Sequence, residues 1–283
     1  MSFLRRFCRH YLLALQFFTR IPVTGRLADW VGFSPAMLRA SAAHFPGVGW
    51  LVGALVVAFT ALLLAGLASS VFSPLVAAVL GTALGVWITG AFHEDGLADV
   101  ADGLGGSPQR ERALVIMKDS RVGAFGAIAV VLALLAKVAL LALLGSLSSG
   151  LLCLALFLAH VVSRTWPLLL IRFMPHVGDA AGSKSKPLAD QIGTGSLCAA
   201  FLWCVLALAL AVYVQETTHL IAVGKNSPAL LQALAAALTA SGLAAWLLGR
   251  WFWRRLAGFT GDCLGATQQA CELAFYLGLA LSL

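Results

Sequence analysis

Seven long apolar segments constrain the fold of this 283-residue chain more than any other feature. Each is close to the length of about 20 residues that a helix needs to cross the hydrocarbon core of a bilayer. Hydrophobic residues make up 60% of the chain and charged residues only 11%, which is more apolar surface than a soluble domain can bury. We therefore predict an all-α polytopic integral membrane protein forming one domain over residues 1–283. The predicted spans are 46–67, 74–92, 123–145, 150–172, 195–215, 228–249 and 264–283.

Two further helices are predicted outside the spans. Residues 3–20 mix basic and apolar side chains, which predicts an amphipathic helix in the membrane interface. No small-x-small cleavage site follows them, as a signal peptide would require. Ser107-Pro108 is typical of a helix start and predicts a short surface helix over 108–119. The six cysteines form no C-x-x-C pair and are interpreted as packing residues.

The distribution of Lys and Arg predicts the orientation of the chain. The turns near 68–73 and 146–149 carry no charge, whereas the N-terminal region and the connections after the second, fourth and sixth spans are basic. Because Lys and Arg favour cytoplasmic loops, we expect these basic regions on the cytoplasmic face and the C-terminus on the other side. The net charge of +7 then reflects topology, and no nucleic-acid partner is predicted.

Carboxylates are concentrated in the run H-E-D-G-L-A-D-V-A-D-G at 93–103. On a helix, Asp95, Asp99 and Asp102 recur at i, i+4 and i+7 and line one face, with Glu94 about a quarter-turn away. Clustered carboxylates repel one another unless a cation binds, and a ligand set of oxygen atoms suits Mg²⁺ or Mn²⁺. We predict that these four side chains hold Mg²⁺; a solvated acidic helix turn is the alternative.

A basic run, K-D-S-R at 118–121, precedes the third span and is followed by Gly123 and Gly126. Helix-start amides together with Lys and Arg side chains favour a phosphate site. A juxtamembrane anchor that touches lipid headgroups is the alternative. The predicted substrate contacts from this run are Lys118, Asp119, Ser120 and Arg121.

Several isolated polar residues are further candidates. Arg164 lies inside the fourth span, where an unpaired cation is costly, so we expect it to face the acidic residues or a substrate phosphate. His93 is a candidate general base or hydrogen-bond partner of a metal ligand. Asp262 starts the last span, where it could bind metal or substrate or simply cap the helix. Lys137 and Glu272 lie deep in apolar segments, and Glu272 needs a partner there.

The motifs E-D-G-L-A-D-V-A-D-G-L (94–104) and I-M-K-D-S-R-V-G-A-F-G (116–126) resemble the membrane-bound cobalamin synthases, also called adenosylcobinamide-GDP ribazoletransferases. Shorter stretches at 17–23, 45–53 and 261–266 are also similar to that family, so the resemblance covers nearly the whole chain. It implies a bacterial inner-membrane enzyme in which α-ribazole, or its 5′-phosphate, attacks adenosylcobinamide-GDP and releases GMP.

With the resemblance, the candidate residues acquire roles. Metal binding is expected from Glu94, Asp95, Asp99 and Asp102, and substrate binding from the 118–121 run, Arg164 and His93. Membrane lipid is expected around the protein, and the sequence does not decide whether the protein forms a homo-oligomer. The expected catalytic carboxylates are Asp95, Asp99, Asp102 and Asp262.

Two other functions are suggested by parts of the sequence. Asp99-x-x-Asp102-Gly103 matches the opening of the CDP-alcohol phosphotransferase signature, but no G-x-x-x-D-x-x-x-D follows it. Lys137, Arg164 and Glu272 within apolar segments suggest a secondary transporter, although no paired halves with broken helices are visible. The segment 174–193 matches the family least well.

Overall fold

The computed structural model describes residues 3–178, 192–218 and 227–283. Within these ranges the chain forms helices and one isolated β-bridge, between His176 and Phe259. Most of the poorly matching segment 174–193 lies outside the described residues. The helices are α1 Phe3–Phe18, α2 Gly25–Val31, α3 Pro35–Ser41, α4 Phe45–Gly66, α5 Ser73–Thr89, α6 Phe92–Gly106, α7 Arg110–Ile116, α8 Ala124–Leu147, α9 Ser149–Thr165, α10 Pro167–Phe173, α11 Thr194–Thr218, α12 Ser227–Leu256 and α13 Gly261–Leu281.

All seven predicted spans are helical, which confirms the all-α membrane fold. Five helical runs are long and apolar enough to cross a bilayer: Pro35–Gly66, Ala124–Leu147, Ser149–Phe173, Thr194–Thr218 and Ala229–Leu256. Large apolar side chains remain exposed along them, as expected for helices that face lipid. Examples are Leu62, Ile128, Leu132, Leu135, Leu202, Val205 and Leu247.

Two of the predicted spans differ from expectation. The second, α5, has 17 residues, and α6 follows it at an angle of 88°. Gly90 and Ala91, which both have positive φ, form the break, so the acidic run is a separate helix and does not continue the span. The last, α13, is too polar to be counted as a membrane span by itself. Its polar side chains Thr267, Gln268, Gln269 and Glu272 are buried inside the protein. Among the described residues there are thus five apolar spans, or six if α5 and α6 count as one.

The two short predicted helices are both present. α1 buries Leu13, Ala14, Leu15 and Phe18 and packs against α3 and α4. The surface helix is α7, which is shorter at both ends than the predicted 108–119. Its N-cap residue is Gln109, and the Ser107 Oγ accepts a hydrogen bond from the Gln109 amide at 3.2 Å. The position of α1 in the membrane interface stays a prediction.

Helix α13 is buried in the bundle, in contact with α6, α8, α9, α10 and α12. Its closest approach to α6 depends on two glycines. A Cβ on Gly96 would lie 2.8 Å from the Asp262 carbonyl oxygen, and a Cβ on Gly265 would lie 3.3 Å from the Gly96 Cα. This contact brings the acidic helix alongside the start of α13.

Arginines tie several helix ends together at one end of the bundle. The Arg255 guanidinium, near the end of α12, donates to the carbonyl oxygens of Leu104 at 3.1 Å and Ser107 at 2.5 Å. Arg110 Nε donates to the Leu256 carbonyl oxygen at 2.6 Å. The end of α6, the start of α7 and the end of α12 therefore meet at the same end of the molecule.

Candidate active site

Three carboxylates lie near the contact between α6 and α13. Asp95 is exposed, whereas Asp99 and Asp262 are partly buried. Asp262 does not cap α13: the Thr260 side chain accepts the hydrogen bond from the Cys263 amide, and the Thr260 hydroxyl donates to Asp262 Oδ2 at 3.1 Å. The capping alternative for Asp262 is therefore wrong, and its carboxylate is available to a ligand.

These carboxylates act on one another electrostatically. The pKa of Asp99, on α6 and outside the five apolar spans, rises to about 7 because of partial burial and then the charges of Asp262, Asp95 and Asp102. The pKa of Asp262 rises to about 6, chiefly through burial, against the lowering effect of the Thr260 hydrogen bond and with a further rise due to Asp95. A bound cation would relieve this repulsion.

Asp102 lies on the predicted face but is held by another helix. Its Oδ2 accepts a hydrogen bond from the Gly123 amide at 2.7 Å, and its Oδ1 accepts one from the Gly126 amide at 2.8 Å. A Cβ on Gly126 would lie 2.3 Å from Asp102 Oδ2, so the approach requires glycine there. Asp102 thus occupies the helix-start amides that the sequence suggested for a phosphate, and that part of the predicted phosphate site is wrong.

Glu94 is engaged in the interior of the bundle. The side chain is buried, and its Oε1 accepts a hydrogen bond from Gln269 Nε2 at 2.9 Å. Its Oε2 has no hydrogen-bond partner among the described residues. No three His, Cys, Asp or Glu side chains in the described ranges converge as a preformed metal site. The predicted set of four ligands is therefore divided between separate surroundings.

A buried polar network extends from Glu94 into the bundle. Gln269 Nε2 also donates to Gln268 Oε1 at 2.9 Å, and Gln268 Nε2 donates to Glu272 Oε2 at 2.9 Å. Glu272 Oε1 pairs with Lys137 Nζ at 3.2 Å, and both side chains are almost fully buried. These two buried charges therefore neutralise each other, which supplies the partner that Glu272 needs in an apolar segment.

Arg164 is buried inside the protein. Its Nη1 donates to the His160 carbonyl oxygen at 2.8 Å and lies 3.1 Å from His160 Nδ1, while its Nε has no partner among the described residues. The ring of His93 is buried and stacks on Phe18 at 5.9 Å with an interplanar angle of 6°.

Arg164 and His93 border two hollows. The first, here the aromatic cleft, encloses about 500 Å³ of empty space including its mouth. Its lining is mostly apolar and comes from α1, α4, α6, α9, α10 and the start of α13. The second, here the polar cavity, has about 320 Å³ of empty space including its mouth. It is bordered by the network of Glu94, Gln268, Gln269, Glu272 and Lys137.

The basic run lies in the connection between α7 and α8. Lys118 and Ser120 are exposed, and the Arg121 side chain is 88% exposed. Arg121 holds Asp119 with two prongs, from Nε to Oδ1 at 2.9 Å and from Nη2 to Oδ2 at 2.5 Å. This pairing lowers the pKa of Asp119 to about 2. The guanidinium fork thus binds a carboxylate of its own run.

Residues 10–280 match the family model described as Cobalamin-5-phosphate synthase. The chain belongs to this family. A relative from Albidiferax ferrireducens, named adenosylcobinamide-GDP ribazoletransferase, is 73% identical over 98% of this chain and 99% of its own length. Proteins of the same name from Polaromonas naphthalenivorans and Vibrio cholerae are 61% and 39% identical, over 98% and 94% of this chain and 99% and 91% of their own lengths. No solved structure matches.

The family membership and the structure both bear on the two alternative functions, a CDP-alcohol phosphotransferase and a secondary transporter. The matched family is neither the CDP-alcohol phosphotransferases nor a transporter family. Of the buried charges that suggested transport, Lys137 and Glu272 pair with each other, and Arg164 donates a hydrogen bond to the His160 carbonyl oxygen.

Two site features escaped the sequence reasoning. One is the cap by Thr260, for which a threonine directly before Gly261-Asp262 was a readable signal. The other is the relay of Gln268 and Gln269, whose amides span from Glu94 to Glu272. Adjacent glutamines in an apolar segment signal buried hydrogen bonds, but their partners on other helices cannot be read from one sequence.

Proposed function

We propose that the chain is an adenosylcobinamide-GDP ribazoletransferase that uses Mg²⁺ and joins α-ribazole, or its 5′-phosphate, to adenosylcobinamide-GDP. The observation that carries the proposal is the placement of Asp95, Asp99 and Asp262 beside the glycine contact of α6 and α13. The names of the relatives supply the substrates.

The donor set fits a hard divalent cation. The carboxylates of Asp95, Asp99 and Asp262 repel one another when they are charged. Their oxygen atoms are the kind of ligand that Mg²⁺ prefers. We assign these three as the ligands, although Glu94 and Asp102 belonged to the predicted set. When bound, Mg²⁺ would neutralise charge on the diphosphate of adenosylcobinamide-GDP.

The other two acidic residues position this site. Asp102 fixes the start of α8 through the Gly123 and Gly126 amides and so places the basic run against α6. Glu94 ties the start of α6 to α13 through Gln269. Neither needs to touch the metal to be required for activity.

The basic run is proposed to bind the diphosphate. Lys118 and Arg121 are exposed beside the end of α6, and Ser120 offers a hydroxyl between them. Arg121 must exchange Asp119 for a phosphate, which costs little because exposed ion pairs are weak. A guanidinium binds two phosphate oxygens as readily as two carboxylate oxygens.

The reaction is then a displacement at phosphorus. The 5′-hydroxyl oxygen of α-ribazole forms a bond to the phosphorus next to cobinamide, the hydroxyl loses its proton, and the bond from that phosphorus to the GMP oxygen breaks. The carboxylates and the basic run hold the reacting groups in line and stabilise the charge of the leaving GMP. We place this site on the cytoplasmic face of a bacterial inner membrane, where the basic connections are expected.

GMP release tests the proposal. Purified protein in detergent, given adenosylcobinamide-GDP, α-ribazole and Mg²⁺, is expected to release GMP in proportion to the corrinoid product. Glu111→Gln, which removes an exposed carboxylate outside the site, is the matched control and should behave as wild type. Turnover of a CDP-activated alcohol by the folded protein, with no GMP from adenosylcobinamide-GDP, would reject the proposal.

A further inference from the structure

Four phenylalanines converge on the aromatic cleft from three helices. Phe17 and Phe18 end α1, Phe45 starts α4, and Phe92 starts α6. Their rings meet edge to face, with centroids 4.3 Å apart for Phe18 and Phe45, 5.4 Å for Phe17 and Phe92, and 5.5 Å for Phe18 and Phe92. Phe18 and Phe45 are buried, whereas Phe17 and Phe92 keep exposed ring surface on which a flat guest can pack.

The wall facing these rings belongs to the candidate active site. Gly261, Leu264 and Gly265 line the cleft, and they flank Asp262 in the first turns of α13. His93 also lines it and directly precedes the acidic run. A molecule held in the cleft therefore lies next to the proposed metal site.

The polar groups of the cleft are few and mostly engaged. Gln268 Nε2 donates to Ser163 and to Glu272, and its Oε1 accepts from Gln269. Arg164 retains a buried Nε without a partner among the described residues. The cleft thus suits an apolar ring with an acceptor atom and suits poorly a guanine, whose several N–H donors would lose their hydrogen bonds.

We propose that the aromatic cleft binds the dimethylbenzimidazole base of α-ribazole, an inference that rests on the proposed function. This base is flat, carries apolar methyl groups and has a ring nitrogen that accepts a hydrogen bond but no N–H donor. A cleft bordered by eleven residues suits a bicyclic ring better than a corrin with its side chains, which is far larger. With the base in the cleft, the ribose extends toward Asp262 and the 5′-hydroxyl toward the carboxylates.

The test separates the two substrates by their Michaelis constants. Phe92 is 38% exposed at the cleft, and Phe92→Ala is expected to raise the KM for α-ribazole about tenfold, as loss of one base-stacking ring does. The KM for adenosylcobinamide-GDP should change less than twofold. Phe173→Ala, which removes a 72% exposed phenylalanine outside the cleft, is the matched control and should leave both constants unchanged.

A second variant guards against misfolding. Phe92→Leu retains apolar volume and should raise the KM for α-ribazole by less than Phe92→Ala does. An unchanged KM for α-ribazole in both variants, or a rise confined to adenosylcobinamide-GDP, would overturn the inference while GMP release by the wild type still supports the function.

A direct binding measurement distinguishes failure of the cleft assignment from failure of the proposed transferase function. Calorimetry of the wild-type protein with free 5,6-dimethylbenzimidazole should show binding that Phe92→Ala weakens and Phe173→Ala does not. This measurement needs no turnover, so it applies even if the wild type releases no GMP. Absence of binding, or equal binding by both variants, would contradict the cleft assignment.

Discussion

At the scale of single residues, carboxylates on one helix face have different tasks. Helical spacing correctly predicted that Asp95, Asp99 and Asp102 share a side of α6, because that spacing depends only on local geometry. It could not show that Asp102 would be held by two amides of α8, since that contact joins residues 21 and 24 positions apart. Spacing also could not show that Glu94 faces Gln269, 175 positions away.

The separation of roles predicts opposite responses at Asp99 and Asp102. Asp99→Asn should reduce turnover to less than about a tenth of wild type without lowering thermal stability, because it removes a proposed ligand and one of the mutually repelling charges. Asp102→Asn should destabilise the fold by about 1.5–3 kcal/mol, because an amide group replaces one acceptor of two charged hydrogen bonds. Thermal unfolding in detergent and GMP release on the same samples compare them. Equal loss of stability at both positions would refute the separation.

The basic run predicts a difference between Arg121 and Lys118. Arg121→Lys keeps the charge but loses the planar fork that now binds Asp119, and should reduce kcat/KM for adenosylcobinamide-GDP about 10- to 100-fold. Lys118→Arg should be milder. Steady-state kinetics on both variants decide this; if Lys118→Arg is the damaging change, the two roles are reversed, and if neither matters the run is a lipid-headgroup anchor.

At the scale of helices, the sequence predicts that the helices exist and roughly where they begin and end. It does not predict how they are placed relative to one another. Apolar length located the helix of every predicted span to within several residues, and five of the seven are apolar spans by themselves. The break of 88° after α5 depends on two residues with positive φ, and the sequence offered only Gly90 as a hint. The close approach of α6 and α13 depends on Gly96 meeting Gly265 across the interface, which is tertiary information.

The glycine contact predicts that Gly96→Ala is severe. The new Cβ would lie 2.8 Å from the Asp262 carbonyl oxygen and 3.1 Å from the Asp262 Cα, so α6 and α13 must separate. GMP release should fall more than about tenfold, since misplacing catalytic groups by about 1 Å can cost 100-fold. Gly66→Ala, where the added Cβ meets nothing within 4 Å, is the control. Full activity of Gly96→Ala would show that this contact does not position the carboxylates.

The buried pair of Lys137 and Glu272 predicts non-additive stability effects. Lys137→Met alone leaves a buried carboxylate unpaired, and Glu272→Gln alone leaves a buried ammonium, so each should destabilise by about 3–5 kcal/mol. The double variant Lys137→Met with Glu272→Gln should lose less than the sum, because no charge is stranded. Thermal unfolding of the four proteins completes the cycle, and additive losses would mean that the two side chains do not interact.

At the scale of the whole molecule, the arginine contacts agree with the orientation inferred from charge. Arg255 and Arg110 join the ends of α6 and α12 and the start of α7, so the two basic regions after the second and sixth predicted spans share one end of the bundle. A reporter fused near Gly106 should therefore be cytoplasmic, and one fused after Leu283 should be periplasmic if α13 crosses the bilayer within the bundle. A cytoplasmic C-terminus would show that α13 does not cross.

The central claim is that Asp95, Asp99 and Asp262 act through one divalent cation. The most direct measurement is GMP release as a function of Mg²⁺ concentration, for the wild type and for Asp262→Asn. We predict that EDTA abolishes wild-type release and that added Mg²⁺ restores it. Asp262→Asn should require a higher Mg²⁺ concentration and reach less than about a tenth of the wild-type rate. Wild-type release that persists in EDTA, or an Asp262→Asn protein with the wild-type Mg²⁺ response, would contradict the account.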